Sequence, residues 1–305
     1  MSETVISIKD FTKYYDGFKA VDNISLEVTQ GEIFGLLGPN GAGKTSTLEC
    51  LEGLRQFDDG QMRILDVDPQ RDPGQLRNLI GVQLQTSALP ANMTVEEAMK
   101  FFSAYHKVPP QYELLSRMGL EDKRKTQYHQ LSTGLQRRLS LALALTHNPP
   151  VVILDEPTAG LDVASRTELH SLMQELKAQG STLILATHDM AEAEKMTDRV
   201  AILLHGKIIA TGSPRELTAK GSGMTKVSVR TEASLLHQSN ETFPAVSQQG
   251  VNEDYSIYYS TDPGPTVTAI LDFIANHDDK LIDLRVERPS LEERFLEITT
   301  TGGTQ

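Results

Sequence analysis

Cysteine is almost absent: Cys50 is the single thiol in 305 residues. One thiol excludes an internal disulfide and fits a reducing compartment, and its place in a helix-forming stretch behind a glycine-rich loop reads as a core thiol, not a reactive one. Long apolar runs are missing too. The longest, Leu139 to Leu145, falls far short of the roughly 20 residues that cross a bilayer as a helix. The start Met1-Ser2-Glu3-Thr4 lacks the basic-then-apolar form of a secretion signal, so any membrane role is expected to run through a partner. Clustered positive charge is also wanting. With 29 Lys and Arg against 41 Asp and Glu, the net charge is −12, which argues against nucleic acid as a partner because phosphate neutralisation needs grouped Lys and Arg. No stretch is repeated, and outside the site discussed below the histidines have no metal-ligand spacing.

What is present is enough for real cores: 39% of the residues are hydrophobic, and the length suits one large domain plus a small one. The chain is organised around Gly38-Pro39-Asn40-Gly41-Ala42-Gly43-Lys44-Thr45, the G-x-x-x-x-G-K-[ST] spacing of a phosphate-binding P-loop. Glycines at 38, 41 and 43 permit positive φ and close backbone approach, so that successive N–H groups turn inward on a β-phosphate at the start of the next helix. Lys44 adds a mobile charge, and the Thr45 hydroxyl suits Mg²⁺, a hard ion that takes few protein ligands. At a glycine frequency near 7%, such a string arises by chance in roughly one chain in a hundred of this length. Context separates the readings: Ile33-Phe34-Gly35-Leu36-Leu37 is a buried strand just before it, and Ser46 to Leu51 a helix just after.

Before the loop, Val5 to Ile8 and Ile24 to Val28 alternate with period two, as half-buried strands of an antiparallel piece do, with Tyr14 and Tyr15 between them. After it, Asp58-Asp59-Gly60 is read as a turn leading to the strand Met62 to Leu65, and Leu79 to Val82 as a further strand. Residues 86–147 read as a helical insertion, with a capping box at Thr94-Val95-Glu96-Glu97 and a Leu/Ala-rich helix that Pro149 and Pro150 stop. Val151 to Leu154 is an apolar strand ending in Asp155-Glu156. Asp162 caps a helix carrying Leu169, Leu172, Met173 and Leu176 on one face, and Thr182 to Ala186 is the next buried strand, followed by Thr187-His188-Asp189, a short helix and a hairpin over 200–209. Strand and helix alternate, which predicts an α/β fold with a mainly parallel sheet covered on both faces. Lys220-Gly221-Ser222-Gly223 reads as a flexible joint. The expected domains are therefore 1–220 and a small α+β domain over 221–305, whose strands lie near 227–230, 256–260 and 282–286, with a helix over Val267 to Ile274 and a second capping box at Ser290 to Glu293.

Phosphoryl transfer asks the protein to position the nucleotide, neutralise charge with a metal and orient a water. Asp155, at the exit of a buried strand, is placed to hold Mg²⁺ opposite Thr45, and Glu156 to accept the proton of the water. An acidic pair is also an ordinary strand end, so the pair alone decides nothing.

With the P-loop, Gln85, Leu131-Ser132-Thr133-Gly134, Asp155-Glu156, Gly160-Leu161-Asp162 and His188 all in order, the chain resembles the ATP-binding cassette (ABC) ATPases over about residues 4–220. The Leu-Ser-x-Gly string carries most of the weight, because it separates this family from other P-loop enzymes. The resemblance implies a P-loop NTPase with an antiparallel β subdomain and a helical insertion. It implies ATP and Mg²⁺ as ligands, with 38–46 (Ser46 included) around the phosphates, Thr45, Gln85 and Asp155 at the metal, and Lys44, Glu156 and His188 in catalysis. Tyr15 would stack on adenine, with Tyr14 as the alternative. Ser132 and Gly134 would touch the γ-phosphate held by a second ATPase subunit, an identical chain or a sister, and Asp162 would communicate across that dimer. Where the family's commonest string is Leu-Ser-Gly-Gly-Gln, Thr133 and Leu135 stand here in place of the middle glycine and the glutamine.

Within the family, Glu52-Gly53-Leu54 and the tail Ser290 to Leu296 look like the drug-resistance and sodium-export ATPases. This implies an exporter subunit, cytoplasmic and peripheral on the inner face of the cell membrane, docked on a separate integral membrane transporter subunit. The rival is a soluble ABC ATPase acting on ribosome or DNA, which the single cassette and the net charge of −12 disfavour.

Overall fold

The computed structural model describes residues 3–83, 89–219, 224–239, 241–288 and 290–301. The chain divides into two compact units, 1–214 and 215–305; the joint expected at Lys220 to Gly223 lies outside the described residues.

In the first unit, β1 (Thr4–Tyr15) and β2 (Phe18–Thr29) are longer than their alternating cores and meet in a tight hairpin. Its turn is Asp16-Gly17, with φ of 47° and 84°, the left-handed pair that matches strand twist. Tyr14 and Tyr15 are thus the end of β1, not a connection between strands. β3 (Ile33–Leu37), α1 (Lys44–Leu51) and β4 (Asp59–Ile64) follow, and β4 closes an antiparallel sheet of order β2-β1-β4. Asp59 and Gly60, read as turn residues, already belong to that strand.

The second sheet is completed by α2 (Pro73–Leu79), β5 (Ile80–Gln83), α3 (Val95–Tyr105), α4 (Tyr112–Arg117), α5 (Thr133–Ala144), β6 (Val151–Asp155), α6 (Val163–Ala178), β7 (Thr182–Thr187), α7 (Met190–Met196), β8 (Arg199–Leu204) and β9 (Lys207–Gly212). Its order is β5-β6-β7-β3-β8-β9, parallel except for the last pair. Alternate residues of each strand enter opposite cores. Phe34, Leu36, Ile153, Ile184 and Ala186 pack with Leu48 and Leu51 and with the antiparallel sheet. Ile33, Val152, Leu154, Leu183 and Leu185 pack with Val95, Met99, Leu139, Leu169 and Met173 of the helices. Burial on both faces is why these strands read as unbroken apolar runs.

α8 (Pro214–Ala219) lies at the division. The second unit holds β10 (Thr225–Thr231), α9 (Leu235–Gln238), β11 (Val246–Asn252), β12 (Tyr255–Ser260), α10 (Pro263–Asn276), β13 (Leu281–Glu287) and α11 (Leu291–Thr301). Its antiparallel sheet runs β11-β12-β10-β13, with Val227, Val229, Tyr258, Ile270, Phe273 and Ile274 in its core. Sequence patterning misses β11, because Val-Ser-Gln-Gln-Gly-Val-Asn is a polar edge strand with little to bury. The Ser290–Glu293 capping box forms, Glu293 N–H donating to Ser290 Oγ and Ser290 N–H to Glu293 Oε2.

Candidate nucleotide site

The chemistry-bearing residues gather at the C-terminal ends of β3, β6 and β7, the edge where open α/β sheets hold ligands. β3 delivers the glycine-rich loop into α1. Gly41 and Gly43 take positive φ, 80° and 106°, as expected. Gly38 does not; its reason is space, since a Cβ there would lie 2.3 Å from the Leu203 carbonyl oxygen. A Cβ on Gly43 would lie 2.8 Å from the carbonyl oxygen of Ala20, and one on Gly206 would meet the same oxygen at 2.8 Å. Hydrogen bonds from Gly206 N–H to Ala42 O (3.1 Å) and from Asp22 N–H to Gly206 O (2.8 Å) tie the loop, β2 and the β8–β9 turn together.

Lys44 is only 5% exposed. Its Nζ donates to Gly38 O at 2.7 Å and Pro39 O at 3.3 Å and lies 3.6 Å from Glu156 Oε1. Burial pulls the lysine pKa down, and Glu156 and Asp155 oppose that. Glu156 is itself buried and held in the left-handed region at φ 49°, its N–H donating to Ala186 O at 2.9 Å. Such a backbone persists only where its surroundings over-determine it. Its other carboxylate oxygen, Oε2, lies 2.7 Å from Nδ1 of the half-exposed His188 at the end of β7. One carboxylate therefore joins the loop lysine to the histidine.

Asp155, last in β6, accepts from Thr45 Oγ1 at 3.3 Å through Oδ2, while Oδ1 is buried without a hydrogen-bond partner. Burial first and Glu156 second raise its pKa, since both disfavour its charged form. An orphan carboxylate oxygen beside a threonine hydroxyl is a donor set that fits a hard divalent ion such as Mg²⁺. Gln85, the third expected metal residue, lies outside the described residues.

A cleft of about 240 Å³ is lined by Tyr15, Phe18, Ala20, Pro39, Asn40, Gly41, Ala42, Gly43, Lys44, Thr45, Ser46 and Glu156. Tyr15 lines it and Tyr14 does not. Ser132, Gly134 and Asp162 do not line it either. Ser132 instead caps α5, accepting from Leu135 N–H at 3.3 Å, and Asp162 caps α6, accepting from Ser165 N–H at 2.9 Å. A Cβ on Gly134 would meet Ser165 Oγ at 3.3 Å.

Two features escaped the sequence reading. Phe18 at the cleft is one. The other is a larger cavity of about 460 Å³ away from the loop, lined among others by Glu52, Phe102, Tyr105, His106 and His147. There burial pushes Glu52 up to about 8. His147 is stacked on His106 at 3.7 Å between centroids, and burial pulls it down to about 4. Burial also pushes the Cys50 thiol up to about 12, so it is inert.

Residues 21–159 match the ABC transporter family. The Nod factor export ATP-binding protein I of Paraburkholderia xenovorans (strain LB400) is 34% identical over 310 residues, which cover 98% of this chain and 98% of that protein. The chain belongs to the ABC transporter family of ATP-binding proteins. The probable multidrug ABC transporter ATP-binding protein YbhF of Escherichia coli (strain K12) is 38% identical over 226 residues, which cover 72% of this chain; the match spans 39% of the length of that relative. Among solved structures, a dimeric ATP-binding cassette in a post-hydrolysis state, bound to ADP and phosphate, aligns with a TM-score of 0.63 and 26% identity over 68% of this chain and 98% of that one. The α/β architecture expected for the family is the one observed.

Proposed function

We propose that the chain is the ATP-hydrolysing subunit of an ABC exporter. The observation that carries this reading is the bridge from Lys44 through Glu156, both lining the P-loop cleft, to His188. In this reading the loop N–H groups and Lys44 bind the triphosphate of the substrate ATP. Glu156 orients a water and takes its proton, and His188 holds the carboxylate in place and meets the γ-phosphate. Thr45 and Asp155, with Gln85, would hold Mg²⁺, which when bound spreads the charge of the phosphates. Tyr15 would stack on adenine.

The position of Ser132 and Gly134 away from this chain's own cleft supports a two-chain mechanism, in which each copy completes the site of the other and ATP closes the pair. The dimeric cassette among the similar structures supports it as well. Among the described residues no helix is long and apolar enough to cross a membrane. An export role thus calls for a separate membrane subunit that holds this chain peripherally at the inner face of the cell membrane, and names such as Nod factor export among the relatives favour export over action on ribosome or DNA. Residues 221–305 would form an accessory domain. Gentle extraction from native membranes, with identification of what co-purifies and assay of ATP turnover, tests the reading. A co-purifying membrane protein with ATPase activity supports it. A ribosomal or DNA-bound partner without one overturns it.

A further inference from the structure

Phe18 opens β2 directly after the Asp16-Gly17 turn and is 69% exposed, more than any other aromatic residue among those described. The hairpin register sets it opposite Tyr15. Directly opposed residues share one face, with Cβ atoms about 5 Å apart, and both side chains line the cleft that also contains the phosphate loop. The two rings are differently engaged. Lys13 Nζ lies 5.1 Å and Arg55 Cζ 5.6 Å from the centre of the Tyr15 ring, so that ring is braced by cations. Phe18 has no cation or ring contact among the described residues. Tyr14 is approached by Lys19 at 5.4 Å and does not line the cleft. A large apolar ring kept in water beside a braced tyrosine, in the same cleft as the phosphate loop, is poised for a flat, weakly hydrated ligand group.

We propose that Phe18 is a base-contacting residue, its ring forming with that of Tyr15 a two-ring seat for the purine of the nucleotide. The proposal rests on the nucleotide reading above and adds a residue to it. A π-face carries no donor–acceptor code, so the seat takes adenine and guanine alike.

Calorimetry with ATP, GTP and inorganic tripolyphosphate, each with Mg²⁺, on the full chain and on Phe18→Ala tests it. The expected result is that the substitution weakens ATP and GTP about tenfold, the scale of one lost base–aromatic stack, and leaves tripolyphosphate within about twofold. The chain has no tryptophan, so Phe18→Trp adds a single reporter at the seat. Its emission should change on saturation with ATP and stay constant with tripolyphosphate. Unchanged ATP affinity in Phe18→Ala overturns the proposal, as does a parallel loss of tripolyphosphate or equal emission changes with both ligands. If the unaltered chain binds neither ATP nor tripolyphosphate, the nucleotide reading itself falls, which is a different outcome from loss of the seat alone.

Discussion

Nδ1 of His188 lies 2.7 Å from Oε2 of Glu156, so the carboxylate proposed to take a proton from water is held by a ring nitrogen. The same carboxylate reaches Lys44 at 3.6 Å through its other oxygen. On the proposed roles, hydrolysis and nucleotide binding would meet at one side chain, and substitutions on either side of it should separate them.

Glu156→Gln keeps the shape and removes the base. Turnover should fall by about 10² to 10⁴, with Mg²⁺-ATP affinity nearly kept, because Lys44, Thr45 and Asp155 are untouched. Persistent ATP should then hold two chains together. Analytical ultracentrifugation should show monomer in ADP and dimer in ATP, and Ser132→Arg added to the first change should abolish the shift. Since Ser132 also caps α5, a melting curve of the double variant checks that it is folded. A single variant that stays monomeric in saturating ATP, both alone and with any membrane protein that co-purifies with the chain, counts against a shared site.

Lys44→Ala removes the buried cation that now rests on Gly38 and Pro39 carbonyls. ATP affinity should drop tenfold or more, since a charged hydrogen bond to phosphate is lost. Calorimetry reads this directly, and an unchanged affinity would refute the P-loop assignment.

Glu52 sets a pH dependence. Burial raises its carboxyl from 4.5 to about 8, so between those values the folded chain keeps a proton that the unfolded chain releases. Stability should thus fall as pH rises from about 4.5 to about 8, by up to about 1.4 kcal/mol per pH unit, and level off above that. Glu52→Gln has no proton to lose. In urea titrations its advantage over the unaltered chain should be near zero below about pH 4 and greatest above about pH 8; parallel curves would show that Glu52 does not titrate this way.

Asp162 accepts from Ser165 N–H and Oγ–H at the start of α6, a cap whose removal destabilises the helix. Asp162→Ala should lower the midpoint of denaturation, and Asp162→Asn should restore most of the loss. If both variants retain stability and lose ATP-driven dimerisation equally, the charge serves the second chain and not the cap.

The P-loop and the parallel sheet were legible because their signals are local: glycine spacing, and apolar runs that both cores demand. The choice between Tyr14 and Tyr15 was not settled by spacing, because it depends on hairpin register. Asp16-Gly17 between β-forming residues is a strong hairpin signal, and taken as the turn it would have paired Tyr15 with Phe18. Strand β11 was hidden because an exposed edge needs no apolar alternation. Glu52 was unreadable for the opposite reason: a glutamate in a sequence carries no mark of burial, and only the cavity reveals that its charge is costly.

One carbonyl oxygen, that of Ala20, stands where a side chain on either Gly43 or Gly206 would have to go. It works as a gauge block between two parts of the chain that are far apart in sequence. A methyl group gained at Gly206, buried in a turn with no chemistry of its own, would have to push Ala20 aside, and Ala20 lines the cleft two residues from Phe18. Mutational tolerance in this molecule should therefore be mapped by who shares a wall with Ala20, and a scan that scores positions by their distance from the phosphates along the chain will undervalue that turn.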